Sequence, residues 1–137
     1  MEKSLFNKNG NAVAYIAEDL QHSIYLWEGY PVAYLYNDRH IYGFNGRHLG
    51  WMIDDIIYDY DGLRTGFTYS TCPVSPEKEV IKPKKYPKSE IQARWKALSL
   101  PKLTFQLSDT DLADFLKEGE PYNPRKEALK EKSEEEN

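Results

Sequence analysis

The chain is short of cysteine, of long apolar runs and of catalytic signatures, and each shortage closes off a class of protein. Cys72 is the single cysteine among 137 residues. No intramolecular disulfide can form, and an unpaired thiol suits a reducing compartment better than a secreted one. The opening segment, MEKSLFNKNG, carries no apolar run of the secretory kind, and no uncharged stretch approaches the ~20 residues that a membrane helix requires. A cytoplasmic protein with no membrane contact is therefore expected. The overall charge of −4 is uneven: residues 1–68 hold five Lys or Arg against nine Asp or Glu, and the remainder is neutral. An acidic first half argues against nucleic acid as a partner, since phosphate neutralisation dominates that affinity.

No nucleophile–base constellation and no phosphate-cradling glycine loop is present, so no catalytic residue is expected. The densest carboxylate group, Asp54, Asp55, Asp59 and Asp61, lacks the spacing of a calcium loop. Asp61 reads as a turn residue and Asp59 as the cross-strand partner of Arg64. His22, His40 and His48 form no HxH or HxxxH pair, and strand register puts His40 and His48 on opposite faces. No metal and no cofactor is expected.

What the chain does have is one pattern written four times. Aligned on a glycine, it reads LFNKNGNAVAYI (5–16), IYLWEGYPVAYL (24–35), IYGFNGRHLGWM (41–52) and IYDYDGLRTGFT (57–68). Asn-Gly and Asp-Gly between alternating apolar residues are strong hairpin signals, because a type I′ turn needs positive φ at both central residues. Four sequential two-stranded hairpins follow, each too small to stand alone in water, so they must share a core. Near-equal spacing and the small number favour closure into a ring without a free edge.

With side chains alternating along each strand, two faces emerge. On one, an aliphatic residue faces Ala or Gly across each hairpin: Leu5 with Ala14, Ile24 with Ala33, Ile41 with Gly50, Ile57 with Gly66. The small partner permits close backbone approach, so this face is placed innermost. The other face is largely aromatic, running from Phe6 and Tyr15 through Trp27, Tyr42 and Trp51 to Phe67. It also takes Val13, Val32 and Leu49, and its rings are expected to pack between hairpins.

After residue 70 the pattern stops. Residues 71–88 are rich in Lys and Pro and read as a solvated linker. Residues 89–119 read as an appendage of helix, strand and helix: Ser89 with Gln92 as a capping box before Ile91, Trp95 and Leu98, an alternating stretch at 101–107, then a helix opened at Ser108 and stopped by Gly119. Residues 120–137 are charged and read as disordered.

The four quoted segments, IYGFNGRHLGWM and IYDYDGLRTGFT above all, resemble the 4-fold β-flower proteins of bacteria. The likeness covers residues 5–68 and, more weakly, the Lys/Pro stretch and the C-terminal helix. It implies a mainly β fold with four hairpin petals around a pseudo-four-fold axis, and it transfers no catalytic residue. The first petal departs from the pattern, with Lys8 where the others carry Trp27, Phe44 and Tyr60.

The function expected is that of a non-enzymatic scaffold or protein-interaction module with an unidentified protein partner, self-association included. The alternative is small-ligand binding of the carbohydrate type through the turn-proximal rings Trp27, Tyr30, Phe44 and Tyr60, which can stack on sugars if exposed. An enzyme of unknown reaction comes third. Lys82, Lys84, Lys85 and Lys88 make too weak a basic field to favour a nucleic acid.

Overall fold

The computed structural model describes residues 2–121; of the charged tail expected over 120–137, everything beyond residue 121 lies outside them. Eight strands form in sequence order: β1 (Lys3–Phe6), β2 (Ala12–Ile16), β3 (Ser23–Leu26), β4 (Pro31–Tyr36), β5 (His40–Gly43), β6 (His48–Ile53), β7 (Ile56–Tyr58) and β8 (Arg64–Phe67). Each pairs antiparallel with the next, and β8 returns to β1 through Phe6 opposite Phe67, which closes a barrel. Among the described residues one helix follows, α1 (Leu112–Lys117).

All four expected aliphatic–small pairs stand opposite one another, Leu5 with Ala14, Ile24 with Ala33, Ile41 with Gly50 and Ile57 with Gly66. Leu5, Ile24, Ile41 and Ile57 are each 0% exposed and share one interior cluster. The rings pack between hairpins, as in the near-parallel stack of Tyr15 on Tyr25 and the pairing of Tyr34 with Tyr42.

The turns differ from expectation. In every hairpin the glycine alone is left-handed, with φ of +84° at Gly10 and +91° at Gly46, and its amide returns to the carbonyl three residues earlier. These are three-residue loops ending in a glycine bulge rather than two-residue type I′ turns. A second irregularity follows in each hairpin, between Leu5 and Phe6 and at the three equivalent places. It restores the outer register and inserts one extra residue on the returning strand. That extra residue is Val13, Val32, Leu49 or Thr65, and side chains around it exchange faces. Hence Val13, Val32 and Leu49, expected outside, pack in the interior cluster. Positive φ at both turn positions occurs instead at Asn37-Asp38, between β4 and β5, and at Asp54-Asp55, between β6 and β7.

The larger departure lies in the second half. Residues 71–88 are not a free linker, and 89–98 form no helix. The chain from Ser75 to Ser108 runs extended around the turn end of the barrel and bonds to each tip. The amides of Glu77, Tyr86, Trp95 and Thr104 donate to the carbonyls of Gly10, Gly29, Gly46 and Gly62 at 2.8–3.0 Å. This belt then inserts α1 into the same end of the barrel. Leu112, Phe115 and Leu116 join the interior cluster, with Phe115 over Gly50 and Leu112 over Gly66. Asp111, not Ser108, caps the helix by accepting from the Ala113 amide at 3.1 Å. Gly119 just beyond lies against Gly43 so closely that a Cβ on either would collide with the other backbone.

Candidate functional site: the open mouth of the barrel

With the turn end plugged by α1, the connector end stays open. A cavity of about 520 Å³ opens there, lined by Lys3, Ile16, Ala17, Glu18, His22, Leu35, Asp38, Met52, Asp54 and Asp55. Its floor is the exposed edge of the interior cluster, where Ile16, Leu35 and Met52 end their strands. Its rim comes from the connections between hairpins. A second recess of about 560 Å³ shares His22, Leu35 and Asp38 with the first and runs outward past Tyr36 to Ile91 and Arg94 on the belt.

The rim backbone is unusual. Among the described residues the non-glycine positions with positive φ are His22, Asn37, Asp38, Asp54 and Asp55, and four of these five line the mouth. Asn and Asp tolerate that region because their short side chains bond locally, which accounts for their choice here. Within the rim, the Lys3 ammonium lies 3.3 Å from the Asp55 carboxylate with both half exposed, an ion pair of small energetic weight. Behind it, burial alone would raise the Asp19 carboxyl, but the Lys88 ammonium at 2.7 Å and the Ser23 amide at 2.8 Å outweigh it and hold the group at about 2.

The four rings expected to bind fare unequally. Trp27 and Phe44 are 7% and 0% exposed, so neither offers a face to a sugar. Tyr30 and Tyr60 are 48% and 56% exposed, yet they lie at the tips of different hairpins, and Tyr30 is already stacked on Tyr86 of the belt at 4.3 Å. None of the four lines either recess at the mouth. The outward rings elsewhere are covered by belt cations: Lys82 over Tyr15 and Trp27, Arg94 at 4.0 Å over Tyr36. Lys82 and Lys85 both bond to Glu2.

Two further expectations are corrected. Asp59 does not pair with Arg64. Its Oδ1 accepts from the Asp61 and Leu63 amides at 3.0 Å, as Asn7 does for Asn9 and Asn11, while Arg64 donates to the Thr104 carbonyl and stacks on Phe105. His40 and His48 are not on opposite faces: the bulge at Leu49 turns His48 outward, and its Nε2 lies 3.0 Å from Nδ1 of His40. Since His48 Nδ1 accepts from the Leu98 amide, its neutral ring carries the proton on Nε2 and donates to His40. Burial, reinforced by His40, pushes His48 down to about 4. The pair ties belt to barrel.

Sequence reasoning missed the mouth. Its signal was present in Asn37-Asp38 and Asp54-Asp55, turn-forming pairs between apolar strands, but what they enclose depends on closure of the ring. Among the described residues no group of three or more His, Cys, Asp or Glu is placed to hold a metal ion, and no described helix is long and apolar enough to cross a membrane.

A family model described as 4-fold beta flower protein matches residues 3–116, a span that takes in barrel, belt and most of α1. No curated protein and no solved structure matches the chain.

Proposed function

We propose that this chain, which belongs to the 4-fold beta flower protein family, is a non-enzymatic cytoplasmic binding module whose four petals, set around a pseudo-four-fold axis, hold a ligand in the open mouth of the barrel. The observation that carries this reading is the asymmetry of the two ends. One is filled by Leu112, Phe115 and Leu116, while the other leaves interior side chains at the bottom of a cavity of about 520 Å³, within the range of small-molecule sites. A barrel held at fixed diameter by its hydrogen bonds, and further by a belt and a plug, keeps such a cavity preformed, which lowers the cost of binding.

The test is to fill the mouth. Leu35→Trp places an indole over the floor, and native mass spectrometry of wild-type and variant protein recovered from cell lysate is then compared. A small-molecule adduct on the wild type that disappears from the variant supports the reading; identical spectra overturn it.

A second reading, docking of a protein partner on the belt, is favoured by one observation. The belt spends its amides on the barrel while turning Ile81 and Phe105 outward at 95% and 87% exposure, with Trp95 also exposed. Sugar stacking at the hairpin tips has no comparable support.

A further inference from the structure

Resting on the mouth as the binding site, we infer that its ligand is a small aliphatic amine or guanidine, an apolar stem carrying a cationic head. The floor and rim of the cavity differ sharply in character. Ile16, Ala17 and Met52 are buried, and with Leu35 they line the bottom with saturated side chains only. No Trp, Tyr or Phe lines the cavity, and the one ring there, His22, stands exposed at the rim, so the apolar floor offers no aromatic platform for a sugar or nucleobase. Three aspartates stand at the rim, Asp38, Asp54 and Asp55, against the one ammonium of Lys3. That ammonium already faces Asp55.

A carboxylate or phosphate entering this mouth meets like charge, whereas an ammonium meets several carboxylates at the end of an apolar well. The depth order matters as well. The apolar groups are innermost and the acids outermost, so the stem goes in first and the head stays at the rim with part of its hydration. Binding then requires no buried unpaired charge, the arrangement that costs most. Asp38, Asp54 and Asp55 sit in tight left-handed connections, which hold their backbone positions before any ligand arrives.

The experiment uses the full chain labelled with 13C at the methionine methyl groups. Of the two methionines, Met52 lies on the cavity floor, so its signal reports occupancy directly. Hexylammonium, hexan-1-ol and hexanoate, equal in stem and different in head, are titrated in turn. The expected result is a saturable Met52 shift with hexylammonium at an affinity at least about tenfold above that of hexanoate, falling at 1 M salt. The double variant Asp38→Asn, Asp54→Asn keeps residues that tolerate the left-handed connections and is expected to bind hexylammonium about five-fold more weakly. Equal affinity for all three stems, or tighter binding of the alcohol or the acid, overturns the cationic ligand while leaving the mouth as a site. No saturable Met52 shift with any of the three overturns both.

Discussion

The amide of Trp95 donates to the carbonyl of Gly46 at 2.8 Å, and the carbonyl of Ala93 two residues earlier lies where a Cβ on Gly46 would stand. The same relationship repeats every nine residues along the belt, at Glu77 with Gly10, Tyr86 with Gly29 and Thr104 with Gly62. Each tip glycine thus meets two demands: positive φ and room for a passing backbone.

These demands can be separated. Gly46→Ala is expected to destabilise the protein by about 2–4 kcal/mol, from left-handed strain plus the collision with Ala93. Gly46→Asn relieves the strain but keeps the collision. Urea unfolding should therefore show a smaller loss for Gly46→Asn than for Gly46→Ala, the difference reporting the strain and the remainder the collision; an asparagine variant as stable as wild type would show that the belt yields.

At Asp59 the chemistry of the acceptor matters and its charge does not. Asp59→Asn preserves the Oδ1 that holds the Asp61 and Leu63 amides, as Asn7 does in the first hairpin, and is expected to be nearly neutral. Asp59→Ala should cost about 1–3 kcal/mol. Arg64→Ala in the Asp59→Asn background should cost as much as in wild type, because no ion pair joins the two; coupling in that double-mutant cycle would refute the assignment.

The plug is expected to be integral to the barrel. Phe115 is buried against Gly50, and Phe115→Ala should cost about 3–5 kcal/mol, read from the midpoint of chemical unfolding. Barrel and helix should melt together in wild type. A separate early transition for α1 would mean that the helix merely rests on a self-sufficient barrel.

Acid should loosen the belt at His48. Its folded value near 4 lies below the ordinary histidine range near 6.5, so the fold favours the neutral ring. The contribution is full above about pH 6.5 and is lost as pH falls toward 4. Asp19 acts lower down: held at about 2, it stabilises above its ordinary value near 3.8, and that support goes as pH falls through 2. Stability measured between pH 7 and 4.5 should therefore drop more for wild type than for His48→Gln, and amide exchange at Leu98 should accelerate first. An equal drop in both proteins would exclude His48 as the group responsible.

Much of the barrel was legible because its instructions are local. Alternation of apolar residues, a glycine at each tip and a small residue opposite each aliphatic one lie within a dozen residues, and Leu5–Ala14 or Ile41–Gly50 could be paired from spacing alone. The bulge was not legible, since two- and three-residue loops around Asn-Gly share the same outer register; that single ambiguity misplaced Val32, Leu49 and His48. The belt was invisible for a different reason. Glu77, Tyr86, Trp95 and Thr104 have no side-chain property in common because they bind through backbone amides, which every residue but proline carries. The capping pattern at Ser89 and the spacing of Ile91, Trp95 and Leu98 were satisfied by chance, and amides that a helix would have used internally went to Phe44 and Gly46 instead.

Strand identity, hairpin order and the inward set of aliphatic side chains were thus determined by the amino-acid pattern itself, because turn chemistry and a period of two act over a few neighbours. Which end of the ring is plugged, which stays open, and that Ile16, Leu35 and Met52 floor a mouth rimmed by Asp38, Asp54 and Asp55 were decided only in three dimensions. Those groupings depend on β8 meeting β1 and on α1 filling the turn end, contacts between segments far apart in the chain that no local signal specifies.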